Sequence, residues 1–385
     1  MKDIKKIDKT LFILITIYCI FGLIMIFSAS SASTILRYKV SANHFFLRQL
    51  LVLIIGYIIG FIILLFPTRK YGFLSYLFVG GIIFLLVLVL IKGKIAGNAQ
   101  SWFSIGPFNL QPSEFAKIAI IIFMAVFYNN LVIKNNKNLS LYFIPISIAI
   151  IMAALIAIEP DLGSAAIFIA IAGFIFITVP IVKKNFSKVI KILIVALVIG
   201  VGVFYFKGSD LLTSERLSRF NFKSPCLRYT EDTGYQVCNG LIAIANGGLF
   251  GSGLGQSKQK YMYLPESHTD FIFPIICEEL GAIVGAVVIL GYAIILLRIY
   301  RIASSADNLR TSIIAYGAFW YFALHIIVNL LGVLALIPLT GVPLPFLSYG
   351  GSYTLNALII FFIVERVAIE NKKNKLSRQI ANIRN

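Results

Sequence analysis

Charged residues are scarce in this chain of 385 residues, because Asp, Glu, Lys and Arg together make up only 13% of it. Hydrophobic residues make up 59%, whereas soluble globular domains average roughly 45–50%. This composition excludes a water-soluble enzyme, since little of the chain is polar enough to form a soluble domain. We therefore expect residues 1–385 to form a single integral membrane unit.

Cysteine is also rare, and the spacing of the four cysteines fits no zinc site. Cys19 and Cys277 fall within apolar stretches, where a thiol packs as a small hydrophobic residue. Cys226 and Cys238 share the longest polar segment, which we expect outside the cytoplasm, where a disulfide is permitted. A bridge between them and two free thiols are both compatible with the sequence.

Acidic residues are fewer than basic ones, 16 against 34, which gives a net charge of +18. This excess does not indicate nucleic-acid binding, because the basic residues are distributed unequally between the segments expected on the two sides of a membrane. Twenty-one Lys and Arg fall in one set of segments, and only five fall in the short loops of the opposite side. Cytoplasmic loops carry such an excess, so we expect both termini in the cytoplasm. The basic segments are 1–10, 67–70, 131–140, 183–191, 298–311 and 365–385.

Long apolar runs are abundant, and about 20 apolar residues suffice to cross a membrane. Ten runs qualify as candidate spans, which predicts an all-α polytopic membrane protein with about ten transmembrane helices. The first span is too long for a cleaved signal peptide, so we expect an uncleaved anchor. One long extracytoplasmic loop, 207–269, and a cytoplasmic tail, 365–385, complete the expected organisation. The spans are 11–31, 50–66, 71–91, 114–130, 141–158, 164–182, 189–206, 270–297, 312–337 and 350–364.

Polar, Pro-rich and Gly-rich segments are concentrated on the side opposite the basic loops. They are 92–113, 159–163, 207–269 and 338–352. Long loops with little periodicity are commonly functional or disordered. The sequence therefore predicts that the active or binding face is extracytoplasmic.

Glu114 and Lys117 stand three residues apart at the outer start of the fourth span. Ser113 could cap that helix, and the two charges could pair on one helix face. A bound polar substrate could use the same pair, so both interpretations stay open.

Two further polar sets accompany the spans. Glu159 and Asp161 flank a proline in a short outer turn, and we favour structural support of a site for them. His325 and Asn329 share one face of the ninth span, where an intramembrane histidine most often bonds to another helix.

The glycine-rich segment 247–255 could direct several backbone amides toward an anion, as phosphate-binding nests do, although tight turns explain such glycines more often. Residues 238–246 before it could form a short apolar helix. Lys258, Lys260, Arg216 and Arg219 lie close in sequence, and such cations would suit a diphosphate.

Asp270 is the strongest single candidate, because it stands where the long polar loop meets an apolar span that also carries Glu278 and Glu279. Carboxylates at the edge of hydrocarbon are costly to ionise and commonly mark function. The residue could cap the helix together with Thr269. It could equally act as a general base, since the apolar wall at 271–273 would raise its proton affinity.

These segments together resemble the SEDS family, the polytopic FtsW/RodA/SpoVE cell-wall proteins. Seven motifs in family order carry the resemblance over nearly the whole chain, and the segment Gln259–Glu266 is more similar to the division branch than to the elongation branch. Cys226, Cys238 and Pro274 depart from the common pattern, and Pro274 should start or bend the eighth span. The motifs are His44–Leu50, Gln111–Glu114 with Lys117, Glu159–Gly163, Gly234–Gln236, Leu264–Glu266 with His268–Phe271, Glu278–Gly281 and Pro345–Gly351.

The resemblance implies a peptidoglycan glycosyltransferase that polymerises lipid II on the outer face of the plasma membrane and releases undecaprenyl diphosphate. Asp270 matches the family's essential aspartate, which implies the general base, and His268 would position the loop. A lipid II flippase, an elongation-type polymerase and a non-enzymatic scaffold remain alternatives. Candidate substrate contacts are Arg48, Glu114, Lys117, Asp161, Arg216, Arg219, Lys258, Lys260, His268 and Ser348.

The implied partners are a class B penicillin-binding protein and other division proteins, in the bacterial plasma membrane at the septum. The sequence requires no cofactor. Glu114, Asp161 and Asp270 offer hard oxygen ligands that Mg²⁺ or Mn²⁺ would accept, but no spacing demands a metal.

Overall fold

The fold is given by a computed structural model, which describes residues 6–96, 99–105, 108–159, 161–189, 191 and 222–384. The described chain is mainly helical. Twelve helices are numbered here: α1 Lys9–Leu36, α2 His44–Leu65, α3 Tyr71–Lys92, α4 Pro112–Ile133, α5 Leu139–Tyr142, α6 Ile144–Ile158, α7 Leu162–Thr178, α8 Pro180–Lys184, α9 Asp232–Gly247, α10 Ile272–Ser304, α11 Leu309–Val333 and α12 Gly351–Arg384.

Eight helical segments within the described ranges are long and apolar enough to cross a membrane, and α7 is a shorter apolar helix. Together they correspond to nine of the ten predicted spans, so the polytopic all-α prediction is confirmed. The remaining predicted span, 189–206, lies almost wholly outside the described residues. The predicted span 350–364 is only the first part of α12, which continues as a helix to Arg384.

Helices α4, α11 and α12 form the centre of the bundle, because most of the side chains in their apolar windows are buried. Helix α2 packs closely on α12 through Gly56 and Gly60. A Cβ on Gly56 would stand 2.4 Å from Leu358, and one on Gly60 would stand 2.0 Å from Phe362. Such small residues let two membrane helices approach closely.

One end of the bundle holds the start of α1, the α10–α11 connection and the second half of α12. The backbone amide of Asp8 donates to Glu365 at 2.7 Å, and the Asp8 carboxylate pairs with Arg298. Arg378 pairs with Asp307 at 2.9 Å. These contacts bring the start of α1 and the later part of α12 to one end of the bundle, and the cytoplasmic location of the termini stays a prediction.

Three short strands occupy the segment between α3 and α4, where only a loop was expected. Strand β1, Lys94–Ala96, pairs antiparallel with β2, Ala99–Ile105, and β2 pairs antiparallel with β3, Phe108–Leu110. Ser101 on β2 donates to the Glu159 carbonyl at 3.1 Å. The small sheet therefore supports the α6–α7 turn.

Helix α10 is broken at Gly281, whose φ of +86° lies in the left-handed region. Its first part, before Gly281, is short, and its second part is long enough to span the membrane. Pro274 lies in the first turn, where proline is tolerated, so Pro274 accompanies the helix start and the break occurs at Gly281.

Helix α9 confirms the predicted apolar helix in the long loop and extends it to Asp232–Gly247. A disulfide joins Cys226, in a single 3₁₀ turn, to Cys238 in α9. Gly247 packs against the Cys277 carbonyl of α10, where a Cβ would stand only 2.0 Å away. Helix α9 thus lies directly on the first part of α10.

Candidate functional site

Asp270 lies in the turn just before α10 and is 7% exposed. The helix begins at Ile272, its N-cap residue is Phe271, and no side chain of the described residues caps its first turn. The capping interpretation of Thr269 or Asp270 is therefore wrong. The Thr269 hydroxyl instead lies 3.1 Å from Oδ1 of Asp270 and 2.8 Å from the Glu266 carboxylate.

Asn329 of α11 fixes the backbone at this position. Its side-chain amide donates to the carbonyl of Asp270 and to the carbonyl of Val342, each at 2.8 Å. One buried amide thus joins the end of the long loop, α11 and the segment before α12. Gly341, with φ +68°, forms part of the opposite wall, because a Cβ there would stand 3.9 Å from Oδ2 of Asp270.

This environment raises the pKa of Asp270 to about 7. Burial is the largest cause because it disfavours the carboxylate, and the nearby negative charge of Glu266 adds to it. A carboxyl group with a pKa near the working pH can accept a proton in a reaction and release it again.

His268 is buried two residues before Asp270. Its ring packs on Phe45 with centroids 4.5 Å apart, and its carbonyl accepts a hydrogen bond from the Tyr349 amide at 2.9 Å. Burial and the charge of Arg37 lower the pKa of His268 to about 4, so the ring is neutral near pH 7. These contacts favour a positioning role for His268.

Two arginines lie beside His268 and its neighbour Tyr349. Arg37 is exposed and acts electrostatically on His268. Burial raises the pKa of Tyr349, and the charge and hydrogen bond of Arg48 oppose that rise, so Arg48 is a direct neighbour of the Tyr349 hydroxyl. Arg216 and Arg219 fall outside the described residues, and Lys258 is exposed on the long loop.

The glycine-rich segment does not leave its amides free for a phosphate. The amides of Ser252 and Gly253 donate to the carbonyls of Glu278 and Glu279, each at 2.9 Å. The Lys258 amide donates to the Glu278 carboxylate at 3.1 Å. These bonds to α10 agree with the favoured interpretation of the glycines as turn and packing positions, and they exclude the alternative of an anion nest at these amides.

Lys260 is buried beside this segment rather than open to a substrate. Its ammonium pairs with Glu279 at 2.9 Å and donates to the Gly255 carbonyl at 2.7 Å. The Glu279 carboxylate also accepts from the Ser28 hydroxyl of α1 at 2.7 Å. Glu278 and Glu279 thus bind the loop and α1, and these contacts give Lys260 a structural position.

Glu114 and Lys117 form the ion pair predicted from their spacing, at 2.6 Å and nearly fully buried. The Lys117 ammonium also lies 3.2 Å from Nε2 of His325, whose Nδ1 lies 2.7 Å from the Tyr321 carbonyl. Because a carbonyl only accepts, Nδ1 carries the proton and Nε2 accepts from Lys117. The predicted interhelical role of His325 agrees with these bonds.

Helix α4 begins at Pro112 with Gln111 as the N-cap residue. The prediction that Ser113 caps this helix is therefore wrong. Pro112 explains the shift, since proline fits the first helical position, where its missing amide proton is not needed.

Asp161 and Glu159 have opposite surroundings. Asp161 caps α7 by accepting from the Ser164 amide at 3.0 Å, and it also accepts from the Gln111 side chain at 2.9 Å. Glu159 is 1% exposed, and neither of its carboxylate oxygens has a hydrogen-bond partner among the described residues. Burial and the charge of Asp161 raise the pKa of Glu159 to about 8, so this group is mostly neutral near pH 7.

Ser348 is fully buried, and its hydroxyl accepts from the Leu344 amide at 2.8 Å. This bond closes the turn before α12. It therefore holds the segment that carries Tyr349 in place.

The three carboxylates considered for a metal have separate surroundings. Glu114 pairs with Lys117, Asp161 caps α7, and Asp270 lies at the start of α10. Within the described ranges, no group of three or more His, Cys, Asp or Glu could hold a metal ion. A metal stays an untested expectation, and no step below uses one.

Four residues of the site were not among the sequence-based candidates: Asn329 as a partner of Asp270, Gly341, Glu266 and Arg37. The sequence predicted only that Asn329 shares a helix face with His325. Its real partners are carbonyls 59 and 13 residues away, and no local pattern contains that information. Glu266 and Arg37 could have been noted, since both are charges in outer segments.

Similarity to known proteins agrees with this architecture. The family model for FtsW, RodA and SpoVE, described as a cell cycle protein, matches residues 8–373. Among curated relatives, the FtsW of Bacillus subtilis (strain 168), named a probable peptidoglycan glycosyltransferase, is 37% identical and covers 97% of this chain and 94% of that protein. The stage V sporulation protein E of the same strain is also 37% identical, over 90% of this chain and 92% of that protein.

Two solved structures share the fold. A chain from a peptidoglycan synthase complex, studied for its coordination of polymerization and crosslinking, has a TM-score of 0.75 at 22% identity and covers 95% of this chain and 98% of its own. The rod shape determining protein RodA of Thermus thermophilus has a TM-score of 0.65 at 24% identity, over 94% of this chain and 96% of its own. The resemblance inferred from the seven motifs is confirmed, and the chain belongs to the FtsW/RodA/SpoVE family.

Proposed function

We propose that this membrane protein is a peptidoglycan glycosyltransferase that polymerises lipid II, with Asp270 as the general base. One observation carries the proposal. Asp270 is a buried carboxyl group with a pKa of about 7, held at the boundary of a membrane span by a bond from Asn329 to its own backbone. The names of relatives such as the Bacillus subtilis FtsW support the same activity.

The proposed step is a displacement at a sugar carbon. A GlcNAc 4-hydroxyl is a poor nucleophile near pH 7, so it needs a base within hydrogen-bond distance. Asp270 takes the hydroxyl proton while the oxygen bonds to the MurNAc anomeric carbon. The bond from that carbon to the diphosphate oxygen breaks, and undecaprenyl diphosphate leaves with the bonding electron pair.

The leaving diphosphate gains negative charge, and fixed cations would stabilise that charge. Arg37 and Arg48 suit this role, because Arg37 acts on His268, two residues before Asp270, and Arg48 lies beside Tyr349, whose amide bonds to His268. Lys258 is a further exposed cation, on the long loop that ends at Asp270. We assign Glu114, Lys117, Asp161, Lys260 and Ser348 to support of the site, since their described polar contacts are with protein groups.

We also propose a division role at the septum, together with a class B penicillin-binding protein. The similarity to proteins named FtsW favours division over elongation. The relative that belongs to a synthase complex supports a partner that crosslinks the strands.

The function is tested with purified protein in vesicles that contain fluorescent lipid II, with and without a class B penicillin-binding protein. We expect glycan strands to lengthen with the wild-type chain and not with Asp270→Ala. Asp307→Ala is the matched control, because it removes a carboxylate of the same size at the opposite end of the bundle, where Asp307 pairs with Arg378. If lipid II crosses the bilayer and no strand forms, the flippase alternative is correct instead.

A further inference from the structure

The hairpin after α9 presents large apolar side chains to its surroundings. Leu249 is 63% exposed, Phe250 is 82% exposed and Leu254 is 55% exposed. This hairpin tip, defined as residues 249–254, lies in a loop that a simple topology would place in water. Clustered exposed apolar residues of this size usually mark an interaction surface.

The tip is fixed to α10 at its break. Because Gly281 interrupts the helix, the amides of Ala282 and Ile283 are free to bond to the carbonyls of Gly248 and Leu249, at 2.9 and 3.3 Å. The amide of Gly253 bonds in turn to the Glu279 carbonyl at 2.9 Å. The height of the tip along α10 is therefore the height of Gly281.

That height corresponds to the outer edge of the hydrocarbon. Arg298, paired with Asp8 at the opposite end of the bundle, marks the level where α10 leaves the apolar region. Gly281 precedes it by 17 residues, which is about 26 Å of helix at 1.5 Å per residue. The hydrocarbon core is about 30 Å thick, so Gly281 and the hairpin tip lie at the boundary of the outer leaflet.

The tip also continues the lipid-facing surface of α10. Ile283, Val287 and Leu290, on the long part of α10, are 48%, 60% and 63% exposed, as expected for side chains that face lipid. Leu249 is bonded to Ile283 through the backbone. The exposed apolar tip therefore adjoins the outer end of the apolar surface of the span.

We propose that the hairpin tip inserts into the outer leaflet and that Leu249, Phe250 and Leu254 contact lipid acyl chains near the headgroups. The occupant of this surface is lipid, because the surface is continuous with a face of a spanning helix. The anchored hairpin fixes the first part of α10, and Asp270 stands immediately before that part. This inference does not depend on the proposed reaction.

The test uses a single tryptophan as a depth probe. The two native tryptophans are replaced by Trp102→Phe and Trp320→Phe, and Phe250→Trp is added to the full chain. The protein is reconstituted alone into phosphatidylcholine and phosphatidylglycerol vesicles that carry brominated acyl chains, with bromine near the headgroup or near the terminal methyl. We expect blue-shifted emission and stronger quenching by the shallow bromines.

Leu227→Trp in the same background is the matched control, because Leu227 is 88% exposed in the 3₁₀ turn before α9. Its emission should resemble that of indole in water. If the Phe250→Trp variant emits like this control, with equally weak quenching, the inference is overturned. Blue-shifted emission without bromine quenching also overturns it, because it assigns the tip to a protein surface. Leu249→Trp repeats the measurement if Phe250→Trp does not fold.

Discussion

The buried pair of Glu114 and Lys117 gives a quantitative prediction. Lys117→Met keeps most of the side-chain volume but removes the ammonium that lies 2.6 Å from Glu114 and 3.2 Å from His325. Glu114 is then a buried carboxylate with no ionic partner, and breaking a buried pair in this way costs about 3–5 kcal/mol. We expect the free energy of unfolding in detergent to fall by that amount.

The double variant Glu114→Gln with Lys117→Met tests the reasoning, because it removes both charges together. We expect it to recover most of the lost stability, since neither charge is left alone, and to recover polymerisation of lipid II with it. Glu114→Gln alone completes the comparison. If the stability losses of the two single variants simply add in the double variant, the two charges are not coupled, which would contradict the expected cost of an unpaired buried charge. If stability returns while polymerisation stays lost, the pair contacts substrate, which was the alternative open from the sequence.

Three further predictions follow from the same geometry. Asn329→Leu removes two 2.8 Å bonds and leaves two buried carbonyls unpaired, at a cost of about 1–3 kcal/mol each. The free energy of unfolding and the turnover rate should therefore both fall. Unchanged turnover would contradict the positioning role of Asn329. Glu266→Gln removes a charge that raises the pKa of Asp270; the rise of activity with pH, centred near 7, should then move to lower pH, as a pH–rate profile would measure. Glu159 has its pKa raised to about 8, so the stability it contributes is complete below its ordinary pKa and is lost as pH rises through 8; Glu159→Gln should melt higher than wild type at alkaline pH and similarly at acidic pH.

Long-range apolar patterning made much of the fold predictable. The spans could be located because a membrane helix must satisfy its backbone bonds within one segment, and nine of the ten predicted spans coincide with described helices. The pairing of Glu114 with Lys117 was also predictable, because residues three apart share a helix face. The position of Asp270 at the start of a span followed from the same boundary argument.

The remaining features depend on contacts distant in sequence. The glycines of 247–255 left an anion nest open beside the favoured tight turns, and the amides of Ser252 and Gly253 in fact bond to the backbone carbonyls of Glu278 and Glu279, next to the break at Gly281. The sequence alone suggested that Lys260 is available to a substrate, but its ammonium pairs with Glu279, 19 residues away in the chain. The role of Asn329 depends on two carbonyls from separate segments, those of Asp270 and Val342, which both bond to its side-chain amide. The sequence contains these residues but not their proximity.

In the proposed reaction, Asp270 accepts the proton of the attacking hydroxyl. Asp270→Asn replaces one carboxylate oxygen with an amide nitrogen and keeps the size of the side chain. The hydrogen bond from Asn329 to the backbone of residue 270 should therefore persist. General base catalysis contributes about 10²–10⁴ in rate, so the initial rate of lipid II polymerisation should fall by about that factor. A variant with the same melting temperature that polymerises lipid II at the native rate would contradict the account.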